Sequence, residues 1–436
     1  MNRRGGSPAS KRSVIALVAI ATVAFLLRSI WLLRSGAEWT VATDSVLYLS
    51  LARGIRMGCG FATWRTSCGA PEVMRTPGYP LFLVPFIEHY RLAILIQALM
   101  GTMVCLIAGR FTAKRYGWNA ALAAAAIVAI DIPTILSSKQ LLTEALFQLI
   151  CTSAILVSTV GYAILGGLGL GMAALVRPIA LILIPVCALP YLLARQWRSA
   201  GTAAIAALIV IGAWSYRNYR QTGLFTLTVE GSMNLYSCTL PAVLSTHDGV
   251  SLEQEQRRVA AELAQIAFGD RHELLATALQ LPPTDAIVYA VESAPSISRF
   301  MLARSVSIIA RHPIDTTIVT IKGLLTLMFV PHAPEVGLSH LVSDSNASEL
   351  IRLSSMTFEA TVLAIMWIGV ARAFWRWPQD HNLWILMGAA TLLLLAAAPN
   401  ADFIDVRYRS PAIPFLAILA GAGWFGCSSE TKRNEA

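Results

Sequence analysis

Along the chain, apolar runs of roughly membrane-spanning length alternate with short clusters of Lys and Arg. The first run, Val14 to Leu33, is about twenty residues long, enough to cross a hydrocarbon core of about 30 Å at about 1.5 Å per residue. The basic stretch before it and Ser35-Gly36-Ala37 after it have the shape of a cleavable leader. The run is longer than a usual leader core, so an uncleaved anchor is expected. Further spans are predicted at Leu92 to Ala108, Ala120 to Leu136, Leu141 to Val160, Ala163 to Val176 and Ile179 to Leu193. Others follow at Thr202 to Trp214, around Thr361 to Val370, at Leu383 to Ala398 and at Pro411 to Phe425. Pro313 to Val330 is ambiguous: a mid-span Lys322 would cost about 2.5 to 3.5 kcal/mol, so an interfacial or re-entrant helix competes with a crossing. The expected fold is an all-α polytopic membrane protein of about 10 to 11 transmembrane helices with outward loop helices.

Basic loops stay on the cytoplasmic side, and Arg110, Lys114 and Arg115, then Arg195 and Arg198, then Arg372 and Arg376, and finally Lys432 and Arg433 mark it. The expected organisation is a membrane core over residues 1–216 with a first outward loop at 34–91, an extracytoplasmic region at 217–312, and C-terminal membrane helices over 313–436. In this arrangement the protein is integral to the plasma (inner) membrane and its outward loops face the periplasm or exterior.

Composition agrees: 56% of the 436 residues are hydrophobic and only 14% charged, with mean hydropathy +0.61, whereas soluble domains carry about a quarter charged residues. The net charge of +9 is dispersed between apolar runs, which fits topology and not nucleic acid. Among the seven Cys, no paired metal-type spacing occurs. Cys59 and Cys68 flank an eight-residue outward loop and can close a disulfide in an oxidising compartment. No His forms a metal-ligand spacing with another, and there is no phosphate loop or dinucleotide fingerprint.

Chemistry concentrates at the outward ends of the spans. Asp44 emerges after the first span with Tyr48 one turn later, so both can share a helix face; the carboxylate suits a general base and equally a helix cap. Arg75 precedes Thr76-Pro77-Gly78-Tyr79-Pro80, a rigid turn able to fix a guanidinium for phosphate or to let it reach lipid headgroups. Glu144 stands at the outward end of an apolar helix, where a carboxylate needs a partner or water. Arg177, before Pro178, marks a helix break at the same surface. Arg217, Asn218 and Arg220, and then Arg407 and Arg409, lie outside against the positive-inside bias. Together with Arg75 and Arg177 they suggest an anionic ligand near the outer surface.

In chain order, TDSVLYLSLARGI, a cation before PGYPLF, LLTEALF, LVRP, WSYRNYRQTG and RYRSPAIPFLAIL resemble landmarks of the C-type (GT-C) membrane glycosyltransferases. The likeness is to bacterial relatives of protein O-mannosyltransferases and of the lipid A aminoarabinose transferase. It extends over most of the chain, leaving residues 231–312 unmatched. The resemblance implies a GT-C-like helical bundle, a polyprenyl-phosphate sugar as donor, a hydroxyl acceptor, transfer at the outer face and inversion at the anomeric carbon. It places Asp44 as general base and Arg75 as phosphate-binding cation, with Arg407 or Arg409 as a second contact. Tyr48, Tyr79, Glu144, Arg177, Arg217 and Asn218 complete the expected substrate-binding set. Many relatives carry an Asp-Glu pair where this chain has Asp44-Ser45, so a second acid is sought elsewhere, with Glu144 the candidate. The scheme needs no cofactor and leaves room for a divalent metal. A transporter or flippase of a lipid-linked or anionic solute also uses outward cations and broken helices, and a non-catalytic assembly subunit is a third reading.

Overall fold

The computed structural model describes residues 11–33, 43–64, 67–268, 295–331, 345–400 and 406–427. Ser35-Gly36-Ala37, residues 269–294 and Lys432 and Arg433 lie outside the described residues. The protein is an all-α, multi-pass membrane protein in which the expected spans fall on helices, except that Ala120 to Leu136 is divided at Asp131 and Ile179 to Leu193 begins as a 3-10 turn. Among the described residues, five helices are long and apolar enough to cross a bilayer: α1 (Lys11–Ser29), α4 (Tyr90–Tyr116), α10 (Trp197–Thr222), residues 349–376 of α16 (Ser345–Arg376), and α17 (His381–Ala397) with its extension to Asn400.

Between them lie shorter apolar helices: α5 (Trp118–Ile130), α7 (Glu144–Thr159), α8 (Ala163–Val176) and α9 (Ile184–Leu193), the last entered through a 3-10 turn at Pro178–Leu183. They are short for identifiable reasons. Gly117, at φ 94°, turns the chain sharply from α4 into α5. Asp131 ends α5 and caps α6 (Ile132–Ser137) by accepting from the Thr134 amide. Pro178 cannot continue the hydrogen bonding of α8.

The membrane core is built around α18 (Ile413–Phe425), which packs on α4, α5, α16 and α17 and buries nearly its whole surface. Small residues allow that approach: a Cβ on Gly423 would lie 1.8 Å from the Gly369 carbonyl oxygen of α16. The ambiguous stretch 313–330 forms α15 (Pro313–Phe329), 17 residues long, with Val319, Gly323 and Leu327 buried.

A second core lies outside this bundle. Val73 and Met74 of the first loop join Val229, α11 (Glu230–Asn234), a π turn at Leu235–Thr239, α12 (Leu240–Asp248), α13 (Leu252–Phe268), α14 (Pro295–Arg311) and Val319. These elements form a small outer helical subdomain, tied to the bundle by Thr239 Oγ1 donating to Asn400 Oδ1 at 2.8 Å.

Candidate active site

The site is organised by the first loop. Helix α2 (Thr43–Arg56) starts with Asp44 in its first turn, where a carboxylate is favoured by the exposed amides. Ser45 anchors that end by donating to the Leu141 carbonyl at 3.0 Å. A two-stranded hairpin, β1 (Ala62–Trp64) and β2 (Cys68–Pro71), packs on α2 through Ser50 and Trp64, and the Cys59–Cys68 disulfide bridges it. Beyond β2, the Glu72 carboxylate accepts from the Met74 and Arg75 amides, the latter at 3.1 Å, and so sets the turn that presents Arg75. Gly78, first residue of α3 (Gly78–Leu83), lets this loop sit on α8: a Cβ there would stand 2.7 Å from the Leu175 carbonyl oxygen.

Arg75 holds two carboxylates at once. Its Nη2 donates to Asp44 Oδ1 at 2.9 Å and its Nη1 to Glu230 Oε1 at 2.5 Å. Burial opposes its charge, but Glu230, Asp44 and Glu72 outweigh burial and hold the guanidinium above the ordinary arginine range. It lies 5.8 Å over the Tyr48 ring. Burial, assisted by Glu230 and Asp44, raises the Tyr48 phenol well above its usual value, so this hydroxyl stays protonated. Tyr79 supports Tyr48 edge-on at 5.0 Å and donates to Gln97 of α4.

Glu144 and Arg177, singled out separately in the sequence, form one ion pair at 3.2 Å, with the guanidinium 4.9 Å over the Tyr408 ring. Asp44, Tyr48, Arg75, Glu144, Arg177, Glu230 and Tyr408 all line a single cavity of about 1620 Å³ between the bundle and the outer subdomain. Its bundle-facing wall is apolar at Val176, Ile179, Ile182, Ala396 and Ala397, while Arg257 and Arg299 border the subdomain side.

Other expected ligands are engaged elsewhere. Arg217 donates to the Glu72 and Phe61 carbonyls at 2.6 and 2.9 Å, and Asn218 to those of Thr226 and Leu227 at 2.9 and 3.0 Å. Arg217 thus ties the end of α10 to the first loop, and Asn218 ties it to the segment that follows α10. Arg409 has no exposed surface; it pairs with Glu359 of α16 and donates to the Leu327 and Val330 carbonyls at 3.1 and 3.2 Å. These three do not line the cavity, and the side chain of Arg407 lies outside the described residues. Glu230, which sequence reasoning missed, lies between the WSYRNYRQTG landmark and the unmatched segment 231–312; no motif distinguishes it, and only its pairing with Arg75 brings it to the site.

No family model matches the chain, and no curated protein matches it. Solved structures do. The apo oligosaccharyltransferase of Archaeoglobus fulgidus superposes with a TM-score of 0.52 at 14% identity, over 94% of this chain and 50% of that one. The same enzyme tethered to an acceptor peptide gives 0.50 at 14% identity, over 94% and 49%. The chain has a GT-C-like fold. ArnT from Cupriavidus metallidurans bound to undecaprenyl phosphate aligns over 95% of this chain and 77% of that one, at 16% identity and a TM-score of 0.42. This GT-C-like chain spans about half the length of the oligosaccharyltransferase.

Proposed function

We propose that the protein is an inverting glycosyltransferase that moves a sugar from a polyprenyl-phosphate donor to a hydroxyl acceptor at the outer face of the membrane. The observation that carries this reading is the Asp44–Arg75–Glu230 cluster on the wall of a cavity whose bundle side is apolar. Such a cavity offers an apolar surface to a lipid chain, a cation to its phosphate and a carboxylate to the acceptor. The Cys59–Cys68 disulfide in the same loop fits an oxidising compartment.

In this mechanism the acceptor hydroxyl gives its proton to Asp44 while its oxygen bonds to the anomeric carbon. The bond from that carbon to the phosphate oxygen breaks, and its electron pair leaves on the polyprenyl phosphate. One carboxylate suffices, because a phosphate leaving group needs little or no protonation. Arg75 stabilises the charge that grows on the leaving oxygen. Both of its Nη atoms are held by carboxylates before the donor arrives. An incoming phosphate therefore exchanges with one of them, and release of Asp44 from Arg75 prepares the base. Arg177, with Glu144, borders the same space and shapes the donor pocket.

The test is transfer by purified protein in lipid, given a polyprenyl-phosphate sugar and acceptors from the host's own glycolipids. A glycosylated product of inverted anomeric configuration supports the reading. Movement of the intact lipid-linked sugar across the bilayer without any product would establish the flippase instead.

A further inference from the structure

The seven histidines show no metal-ligand spacing along the sequence, yet the fold brings two of them together with an aspartate away from the cavity. His247 lies in the last turn of α12, His312 at the corner between α14 and α15, and Asp315 in the first turn of α15. The imidazole centroids are 4.0 Å apart. Both Nδ1 atoms point to one carboxylate oxygen: Asp315 Oδ2 is 3.1 Å from that of His247 and 3.7 Å from that of His312. One donor atom from each residue falls within 4.8 Å of those of the other two, and His247 is exposed, which leaves an entry path from water.

We propose that His247, His312 and Asp315 bind a divalent transition-metal ion, zinc by donor type, that fastens the outer subdomain to α15. Two imidazoles and one carboxylate are a donor set that zinc accepts, with a fourth position for water. Tetrahedral bonds of about 2.0 to 2.1 Å place donor atoms about 3.4 Å apart. His247 and Asp315 already meet that spacing at 3.1 Å, and small side-chain rotations of His312 and Asp315, now 3.7 Å apart, supply what is missing. With both imidazoles neutral the three groups carry one negative charge, so a dication is better matched than an anion. Hard cations such as magnesium prefer an all-oxygen shell and are poorly served here. The role is structural: α12 belongs to the outer subdomain, while α15 runs from it into the bundle, so the ion cross-links the two away from the cavity. None of the three residues lines the cavity. The metal site therefore stands or falls separately from the proposed transfer.

The experiment uses the full chain purified through a tag without histidines, stripped with a chelator and titrated with zinc against a zinc indicator. Bound metal is measured by elemental analysis after desalting. About one zinc per chain is expected, with tighter binding at pH 8 than at pH 6 because protons compete for the imidazoles. His247→Ala and Asp315→Asn should each weaken binding at least tenfold and abolish the zinc-dependent rise in thermal midpoint. His247 is exposed, so its removal leaves the fold intact. Failure of wild-type protein to retain zinc, or equal retention by both variants, overturns the proposal. Retention by the variants would assign the metal to other groups, such as the exposed Cys427.

Discussion

Replacing Glu359 by Gln separates a structural arginine from a ligand-binding one. Arg409 is fully buried, and Glu359 is the only carboxylate with which it is paired among the described residues. The substitution preserves size and one acceptor but leaves the guanidinium charge without compensation. Breaking a buried pair by removing one partner costs about 3 to 5 kcal/mol, and the surviving amide acceptor places this case near about 3 kcal/mol. Arg409→Met in the same background removes the orphaned charge and recovers part of the loss. Recovery stays incomplete, because the Leu327 and Val330 carbonyls at the end of α15 lose their donor, at about 1 to 3 kcal/mol for the buried Leu327 carbonyl left unsatisfied. The assay is denaturant unfolding in lipid micelles, followed by a thiol-reactive dye that reports exposure of the buried Cys105, Cys151 and Cys187. A Glu359→Gln protein that unfolds like wild type would refute the structural assignment. So would an Arg409→Lys protein of full stability that has lost sugar transfer, which would return Arg409 to the substrate.

Glu230→Gln should tighten binding of a polyprenyl-phosphate sugar by on the order of tenfold, about 1.4 kcal/mol, because it removes a charge that competes for Arg75; a binding titration showing weaker affinity would contradict that competition. Mass spectrometry without reduction should recover Cys59 and Cys68 as one linked peptide. Replacing both by Ser should lower the stability of the first loop by roughly 2 to 3 kcal/mol, read as faster local proteolysis; unchanged proteolysis would show that the hairpin does not depend on the link.

The fold was legible where physics acts over a contiguous stretch. Apolar runs gave the helices, and Gly117, Asp131 and Pro178 mark breaks that a residue type alone explains. Asp44, Arg75, Glu144 and Arg177, singled out near the helix ends, line one cavity, and they stood out because a charge beside an apolar span needs a partner or water. Pairing was not legible, since Arg75 meets Glu230 across 155 positions and Arg409 meets Glu359 across 50. Outward arginines look alike in sequence, and only the carbonyls around Arg217 and Arg409 distinguish packing from binding. The same holds for His247, His312 and Asp315, whose convergence depends on how α12 meets the start of α15.

The most direct test of the account compares Asp44→Asn with Arg75→Ala in the reconstituted transfer assay, with donor binding measured on the same preparations. Asn keeps the size of Asp44 and most of its hydrogen bonding but cannot take the acceptor proton. Turnover should therefore fall by on the order of 100-fold to 10,000-fold while the donor still binds. Arg75→Ala should weaken donor binding and turnover together, because the phosphate charge is present in the ground state and grows as the lipid departs. Near-normal transfer by Asp44→Asn would remove the base from the mechanism, and near-normal transfer by both variants would contradict the assignment of this cavity as a glycosyltransferase site.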